Sequence, residues 1–493
     1  MKLTYHSLLS CFFLLILLHT QSCSGQPQPA QKIVGNTTDE IDTLLQTYLA
    51  YGQFNGAVLV AHKGEVIYKK GLGFANMEWE IPNHANTKFR LASITKQFTS
   101  MLIMQLVADG QIVLDSSVCH YLPYYPKRSG RSVTIHHLLT HTSGIPSYTS
   151  FSNYRSIMGK RHSPGDLVNS FKDSALLFTP GSRHEYSNSG YVLLGVIIEE
   201  LSGKTYEEML QEKIFDPLQM TNSGFDHGDE ILKNRASGYH RMGSRFVNTN
   251  YIDMSTPFSA GSIYSTVEDL FLWDQALYTE KLLPKKYIDM LFEEHSLIGW
   301  QHYGYGWEVA KLPLGNSHEE IETVGHSGFI NGFNTKITRV PSENTVIILL
   351  NNTGGVPLFN ITRSILGILH DHPYDPPKKS LAYSLLQQLE TNGLEEAMKF
   401  YRETRLSTQY IILEDEMNMV GYELLQGNKL DEAAAVFKIN MEAFPASFNV
   451  YDSYAEALMM LGNKAEAIEF YKKSLELNAD NKNGIIMLKK LRE

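Results

Sequence analysis

Apolar residues form two pairs of short runs, one pair near the start of the chain and the other after residue 330. Each pair flanks a turn, His62-Lys63-Gly64 in the first and 341–344 in the second. Short β-rich runs on either side of a turn predict β-hairpins. The four runs are residues 56–61, 65–70, 334–340 and 345–350.

The segment between the two hairpins has mainly helical and loop-like patterns. Terminal hairpins that enclose a helical middle predict one antiparallel sheet built from both ends of a domain, with helices packed against it. We therefore expect an α+β domain over residues 39–373, consisting of an antiparallel sheet flanked by helices plus a helical domain. Three prolines within 373–377 then stop regular structure, which predicts a linker over 374–379.

After residue 379 the pattern changes to Ala, Leu, Glu and Lys at helical spacing. The segment Gly427–Ala433 recurs as Gly462–Ala467, and Asn392–Ala397 is a degenerate earlier copy. A period near 34 residues is that of tetratricopeptide helix pairs, which this stretch resembles. The resemblance implies an all-α repeat domain over 380–493, and an ordinary helical bundle is the alternative.

The first residues have the pattern of an export signal. Lys2 precedes an apolar run, 8–18, that is too short to span a bilayer, so residues 1–23 are predicted to be a signal peptide. Cys23 resembles the lipidated cysteine of bacterial lipoproteins, although Thr20 replaces the usual aliphatic residue. We expect an exported protein, either periplasmic or tethered to a membrane through lipidated Cys23, with simple secretion as the alternative. Polar residues 24–38 form a linker.

Composition excludes two classes of protein. With 43% hydrophobic residues the chain has enough apolar surface to fold, so disorder is not its main state. The net charge of -10 and the scattered Lys and Arg argue against a nucleic-acid partner. Cys119 is the one cysteine beyond the signal region, and without a surrounding motif it is predicted to be a packed small hydrophobe.

The first candidate chemical motif is Ser93-Ile-Thr-Lys96. Ile94, Phe98 and Met101 have helical spacing, which predicts an amphipathic helix ending at Asp109-Gly110. Ser93 and Lys96 then lie on one face near the helix start. A lysine that has lost its proton can accept the proton of a serine hydroxyl, and burial favours that neutral form.

The second motif is Tyr186-Ser187-Asn188, in a glycine-bounded loop before a helix predicted to begin near Tyr191. A phenol can relay a proton and an amide can hold a substrate carbonyl. The third is Gly325–Phe329, which contains His326 and Gly328 and precedes the last strand pair. We expect a strand edge without bulk at Gly328, with the backbone N–H of Phe329 joining that of Ser93 to polarise a carbonyl.

Taken together, the three motifs resemble the serine β-lactamase and penicillin-binding protein superfamily, in particular the branch of class C enzymes and D-alanyl-D-alanine carboxypeptidases. That family carries S-x-x-K, Y-x-N and then K-T-G or H-x-G in this chain order. The resemblance implies an acyl-enzyme on Ser93, with Lys96 and Tyr186 handling protons. It also implies that Asn188, His326, Gly328 and Phe329 bind the substrate, and that no cofactor or metal takes part.

The departure from lactamases of this branch is His326, which stands where lysine is usual. Because histidine is mostly neutral at pH 7, it is a weaker anchor for a carboxylate. This favours D-amino-acid peptidase, carboxypeptidase or esterase activity over β-lactam hydrolysis. The expected substrate is a small molecule or a peptide, with peptidoglycan fragments among the candidates.

Two alternatives remain from the sequence. His136, His137 and His141 are spaced for metal binding, as are His370 and His372, but neither group has a glutamate placed as general base. The second alternative is a binding protein, in which the hydrolase-like domain is catalytically inactive and the repeats bind a protein partner. An inactive site, however, has no reason to keep Ser93, Lys96, Tyr186 and Asn188.

Overall fold

The computed structural model describes residues 37–242 and 245–492. The predicted export signal, Cys23 and all but the end of the predicted linker lie outside the described residues, so these predictions stay open. The strands are β1 (Gly56–His62), β2 (Glu65–Leu72), β3 (Phe74–Asn76), β4 (Ile81–Pro82), β5 (Phe89–Arg90), β6 (Gly224–Phe225), β7 (Tyr239–Met242), β8 (Arg245–Asn248), β9 (Ile263–Ser265), β10 (Ser296–Ile298), β11 (Gln301–Tyr303), β12 (Glu308–Pro313), β13 (Glu320–Ile330), β14 (Phe333–Val340), β15 (Thr345–Asn351), β16 (Lys379–Ser380) and β17 (Tyr410–Ile411).

The helices surround the strands and then fill the C-terminal region. They are α1 (Thr37–Ala50), α2 (Thr95–Ala108), α3 (Val118–Tyr121), α4 (Lys127–Gly130), α5 (Ile135–Leu139), α6 (Tyr154–Ile157), α7 (Pro164–Phe171), α8 (Asn188–Ser202), α9 (Tyr206–Leu210), α10 (Asp216–Leu218), α11 (Val267–Ala276), α12 (Lys285–Leu291), α13 (Leu358–Leu369), α14 (Leu381–Thr404), α15 (Glu414–Gln426), α16 (Leu430–Ala443), α17 (Phe448–Met460), α18 (Lys464–Leu477) and α19 (Lys482–Arg492). Short 3₁₀ turns occur at Ala92–Ile94, Tyr148–Ser150, Phe258–Ala260 and Pro341–Glu343, and Gln211–Phe215 is a π turn.

Eight strands form the main antiparallel sheet, in the order β10-β11-β12-β13-β14-β15-β1-β2. The early strand β1 pairs with the late strand β15, with Gly56 opposite Asn351. This pairing joins the two ends of the domain and confirms the predicted α+β class. Both strands are almost wholly buried, which explains why their sequences are continuous apolar runs.

The two faces of this sheet pack against different helices. Val58 and Val60 of β1 face a core shared with α1 and α13. Ala57 and Leu59 face the larger core, which includes Phe98 of α2 and residues of α8 and α11. The catalytic candidates lie on the side of the larger core.

The C-terminal region is helical and has a hydrophobic core of its own. Helix α15 packs against α16, and α17 packs against α18, as two antiparallel pairs. The recurring Gly-Asn sequences fall in the turns between paired helices, and Gly462 has the left-handed φ of 86° that favours glycine there. This architecture is consistent with helical repeats. Assignment to the tetratricopeptide family and the domain boundaries stay predictions.

Within the described residues, no helix is both long enough and apolar enough to cross a bilayer.

Candidate active site

Ser93 lies in a tight turn, not in the helix predicted for it. The turn Ala92–Ile94 precedes α2, and Ala92 has a φ of 51°, which is strained for a residue with a side chain. Residues 95–104 of α2 are buried on every side, so the predicted amphipathic pattern is wrong and the helix runs through the core. The turn leaves the half-buried Ser93 at the surface of that core.

Lys96 is completely buried and points back to Ser93. Its Nζ lies 3.1 Å from Ser93 Oγ, 2.9 Å from Asn188 Oδ1 and 2.9 Å from the carbonyl oxygen of Ala260. Burial lowers the pKa of the Lys96 ammonium well below its usual range. No carboxylate contacts it among the described residues.

These three contacts fit a neutral amine. A neutral lysine has two N–H groups and one lone pair. The carbonyl oxygens of Asn188 and Ala260 can only accept, so they take the two N–H groups. The lone pair then faces the hydroxyl group of Ser93, which donates to it. This arrangement is the one that a general base needs before it accepts a proton.

The hydroxyl group of Tyr186 is buried and has no hydrogen bond of ordinary geometry within the described residues. Burial raises the pKa of this phenol, and its interaction with Ser93 opposes the rise in part. Lys96 Nζ lies 4.8 Å from the centre of the Tyr186 ring. The phenol is therefore close to both the serine and the lysine, and its oxygen has a weak interaction with Ser93.

Asn188 is the first residue of α8, three residues earlier than the predicted helix start. Its Oδ1 accepts from Lys96, and its Nδ2 donates to Thr149 Oγ1 at 3.2 Å. These two contacts fix the orientation of the amide. One N–H of Nδ2 remains available in that geometry for a substrate carbonyl.

His326 on β13 is buried, and both of its ring nitrogens are engaged. Nε2 lies 2.9 Å from the hydroxyl of Tyr303, and Nδ1 lies 2.6 Å from the carbonyl oxygen of Ser327. Burial lowers the pKa of His326 to about 4, although Glu308 raises it in part. The ring is neutral at pH 7, so Nδ1–H donates to Ser327 and Tyr303 donates to Nε2.

Gly328 is required by a close approach of two segments. A Cβ at this position would lie 2.2 Å from the carbonyl oxygen of Leu91 and 3.2 Å from the Cβ of Ala92. The missing side chain thus makes room for the Ser93 turn itself, whereas the sequence suggested that it makes room for a substrate backbone. The contact places the serine beside β13.

Beyond Gly325 the strand β13 has one free edge. Its pairing with β12 ends at Gly325 opposite Glu308, while pairing with β14 continues to Ile330. Phe329 is 69% exposed on this free stretch. An extended substrate can lie along such an edge.

Four residues that sequence reasoning missed complete the surroundings. Ala260 supplies an acceptor to Lys96, Thr149 holds Asn188, Tyr303 holds His326, and the ring of His141 lies 4.1 Å from that of Tyr186. Ala260 and Thr149 act through a backbone oxygen and a common hydroxyl, which leave no motif in a sequence.

The histidines suggested as metal ligands have other partners. His136 Nδ1 contacts the hydroxyl of Tyr305, and His137 Nδ1 accepts from the backbone of Thr134. His141 Nδ1 accepts from the backbone N–H of Ser187. Over residues 37–242 and 245–492, no cluster of three or more His, Cys, Asp or Glu is arranged to hold a metal ion. Cys119 is partly buried, and its thiol lies 3.4 Å from the carbonyl of Tyr125.

Comparison with known proteins gives a consistent family. A family model described as Beta-lactamase matches residues 41–367. Penicillin-binding protein 4* of Bacillus subtilis (strain 168) is 32% identical over 364 residues, which cover 70% of this chain and 78% of that protein.

Two solved structures extend the similarity to the fold. The octameric penicillin-binding protein homologue from Pyrococcus abyssi matches with a TM-score of 0.60 at 28% identity, covering 72% of this chain and 82% of that one. The D-amino acid amidase from Ochrobactrum anthropi SV3, solved with L-phenylalanine amide, matches with a TM-score of 0.60 at 25% identity. That match covers 68% of this chain and 99% of the amidase.

Proposed function

This chain belongs to the beta-lactamase family of serine hydrolases, and on that premise we propose that it hydrolyses an amide or ester bond through an acyl-enzyme on Ser93. The observation that carries the proposal is the environment of Lys96. A buried amine that contacts no carboxylate of the described residues and lies 3.1 Å from a serine hydroxyl is positioned to act as a base.

In acylation, Ser93 Oγ attacks the carbonyl carbon as its proton moves to Lys96 Nζ. The lysine then has three N–H groups, and the oxygens of Ser93, Asn188 and Ala260 accept them. The backbone N–H groups of Ser93 and Phe329 stabilise the oxyanion. As the tetrahedral intermediate collapses, the leaving amine or alcohol takes a proton from Tyr186, which Lys96 restores.

In deacylation, water attacks the same carbonyl carbon from the side that the leaving group has vacated. Tyr186 takes the proton of the water as it passes its own proton to Lys96, and Lys96 then gives a proton to Ser93 Oγ as the acid departs. Asn188 holds the acyl part through its free N–H. The raised pKa of Tyr186 keeps the phenol protonated at neutral pH, so it can pass on its own proton only as it accepts another, as a proton relay does.

We propose amides and peptides of D-amino acids as the substrate class, in preference to β-lactams. Neutral His326 supplies no positive charge to a lactam carboxylate. Lys336 of β14 supplies a cation beside β13, with its Nζ 3.3 Å from Ser327 Oγ and 3.9 Å from Glu308 Oε2. A peptide carboxylate can reach this ammonium by way of Ser327, which is exposed.

The test combines an active-site probe with a substrate panel. A fluorophosphonate or a fluorescent penicillin should label the native protein and Ser156→Ala, whose serine is on the surface, but not Ser93→Ala. The panel contains nitrocefin, a D-alanyl-D-alanine peptide, a D-amino-acid amide and a p-nitrophenyl ester. We expect the highest kcat/KM for the D-amino-acid substrates. Failure of every probe and substrate would instead support the inactive binding protein.

A further inference from the structure

A second cavity lies between the hydrolase part of the chain and the first C-terminal helices. Its volume is about 310 Å³, and its walls come from the end of α1, the start of α13, the proline-rich segment and the segment before α15. It shares no residue with the candidate active site. The cavity is therefore separate from the candidate active site.

The walls of this cavity are held in place by backbone and side-chain contacts. Gln53 Nε2 donates to the carbonyl oxygen of Lys378 at 2.9 Å. The backbone N–H of Asn316 donates to the carbonyl oxygen of Pro373 at 2.7 Å. These bonds attach the proline-rich segment to the hydrolase part on two sides. The cavity is thus preformed, which lowers the entropic cost of binding a ligand.

Four charged side chains line the cavity, and their charges balance. They are Arg363, Lys378, Asp375 and Glu416. In the described part of the chain, no ion pair within 4.0 Å joins either cation to either carboxylate. Glu416 also interacts with Ser380 and Arg241, which do not line the cavity. A cavity whose balanced charges do not pair with one another suits a ligand that itself carries one charge of each sign.

Two of these side chains have buried polar atoms without a protein partner. Arg363 donates from Nη2 to the carbonyl of Gly315 at 2.7 Å, but its Nε has no acceptor among the described residues. Glu416 Oε2 likewise has no donor there. Buried donors and acceptors are normally satisfied, so each of these atoms leaves a hydrogen-bond position that a ligand can fill.

The remaining lining is neutral. Asn316 and Asn360 offer amide groups, while Pro357, Pro376 and Leu413 offer apolar surface. A ligand with a polar backbone and an apolar side chain matches both kinds of wall. The volume suffices for a short peptide.

We propose that this cavity binds a short zwitterionic peptide, with its carboxylate on Arg363 and its ammonium group on Glu416. The site is distinct from the one at Ser93. Because its walls come from the hydrolase part and from the C-terminal helices, the bound peptide also strengthens the contact between them.

Calorimetric titration of the full chain carrying Ser93→Ala tests this proposal without interference from hydrolysis. The probes are L-alanyl-L-leucine, its N-acetyl derivative and its C-terminal amide. We expect the free peptide to bind at least about 10-fold more tightly than either derivative, because each derivative loses one charge-assisted hydrogen bond. The free peptide should also raise the unfolding temperature of the same protein.

Two variants in this background assign the contacts. Glu416→Gln should remove the preference for the free peptide over the N-acetyl form, and Arg363→Met should remove the preference over the amide. Glu403→Gln, an exposed carboxylate in the same region, is the matched control and should change neither. Because Arg363 also supports Gly315, the Glu416 variant alone is sufficient for a decision.

Three outcomes would overturn the proposal. They are absence of binding at millimolar peptide, equal affinity for the three probes, and binding that Glu416→Gln leaves unchanged. None of them bears on Ser93, whose role is decided by the labelling experiment.

Discussion

At the scale of single residues, the candidate site depends on two polar groups kept in an apolar core. Lys96 contacts three uncharged oxygens and no carboxylate of the described residues, so burial favours its neutral form. Tyr186 keeps a buried hydroxyl that has no hydrogen bond of ordinary geometry to any described residue. Such a group costs free energy in folding, and proteins often retain groups of this kind where function requires them.

The folding cost and the proposed catalytic role of the Tyr186 hydroxyl give a prediction for Tyr186→Phe. Removing a buried hydroxyl that has no hydrogen bond of ordinary geometry to a described residue should leave the free energy of unfolding unchanged or raise it by up to about 1 kcal/mol. The same change should lower kcat/KM roughly 10²- to 10⁴-fold, because the proton relay is lost. Thermal unfolding and steady-state kinetics on the best substrate measure the two effects.

The control is Tyr191→Phe. The hydroxyl group of Tyr191 donates to the carbonyl oxygen of Leu139 at 2.9 Å. Loss of this hydrogen bond should destabilise the protein by about 1 kcal/mol. If Tyr186→Phe instead destabilised the protein as much and left turnover intact, the phenol would have a structural role.

At the scale of elements, one contact between a turn and a strand positions the nucleophile. The turn before α2 presses against β13 at Gly328, and Thr335 of β14 donates to the carbonyl oxygen of Leu91 at 2.8 Å. The strained φ of Ala92 persists because these neighbours fix the backbone on both sides.

Gly328→Ala tests this contact. The new Cβ would lie 2.2 Å from a backbone oxygen, which cannot move without shifting Ser93. We expect destabilisation of about 1 to 3 kcal/mol and a fall in the rate of probe labelling of about 10²-fold or more. Chemical denaturation and stopped-flow labelling provide the measurements.

Gly165→Ala is the matched glycine variant. Its Cβ would meet only Ser163 Oγ at 3.8 Å, within α7, so stability and labelling should be preserved. Equal behaviour of the two variants would show that the Leu91 turn can relax away from β13.

At the scale of the whole molecule, the C-terminal helices have their own core and meet the hydrolase part through Arg241. This side chain belongs to β7. Its Nη1 donates to the carbonyl oxygens of Tyr51 and Gly52, both at 3.2 Å, and its guanidinium lies 4.0 Å from the centre of the Tyr383 ring. The contact with Tyr383 of α14 thus joins the hydrolase part to the separately packed C-terminal core, while the two hydrogen bonds stay within the hydrolase part.

Arg241→Met should weaken this connection without unfolding either core. The loss of the cation–π contact with Tyr383 should cost about 1 to 2 kcal/mol of coupling, whereas the loss of the two hydrogen bonds to Tyr51 and Gly52 acts within the hydrolase part. In differential scanning calorimetry we expect the unfolding to separate into two transitions, and proteolysis near 373–379 to become faster.

Arg161→Met, at an arginine whose side chain is 68% exposed, should resemble the native protein. A single transition at the native temperature in Arg241→Met would mean that other contacts hold the C-terminal helices.

The sequence by itself determined the parts that depend on local pattern and on residue identity. Apolar runs around turns predicted the hairpins β1–β2 and β14–β15, and their order predicted the sheet joined from both ends. The chain order of Ser93, Tyr186 and His326 indicated the family, since these residue types are fixed by the chemistry.

The tertiary structure alone decided the environments. Whether α2 is amphipathic or buried depends on what surrounds it, and the helix interior gave no local sign of being enclosed. The protonation states of Lys96 and His326 follow from burial, which is a property of distant segments packed together. Gly328 shows the same limit, because the atom that excludes a side chain there belongs to Leu91, more than two hundred residues earlier in the chain.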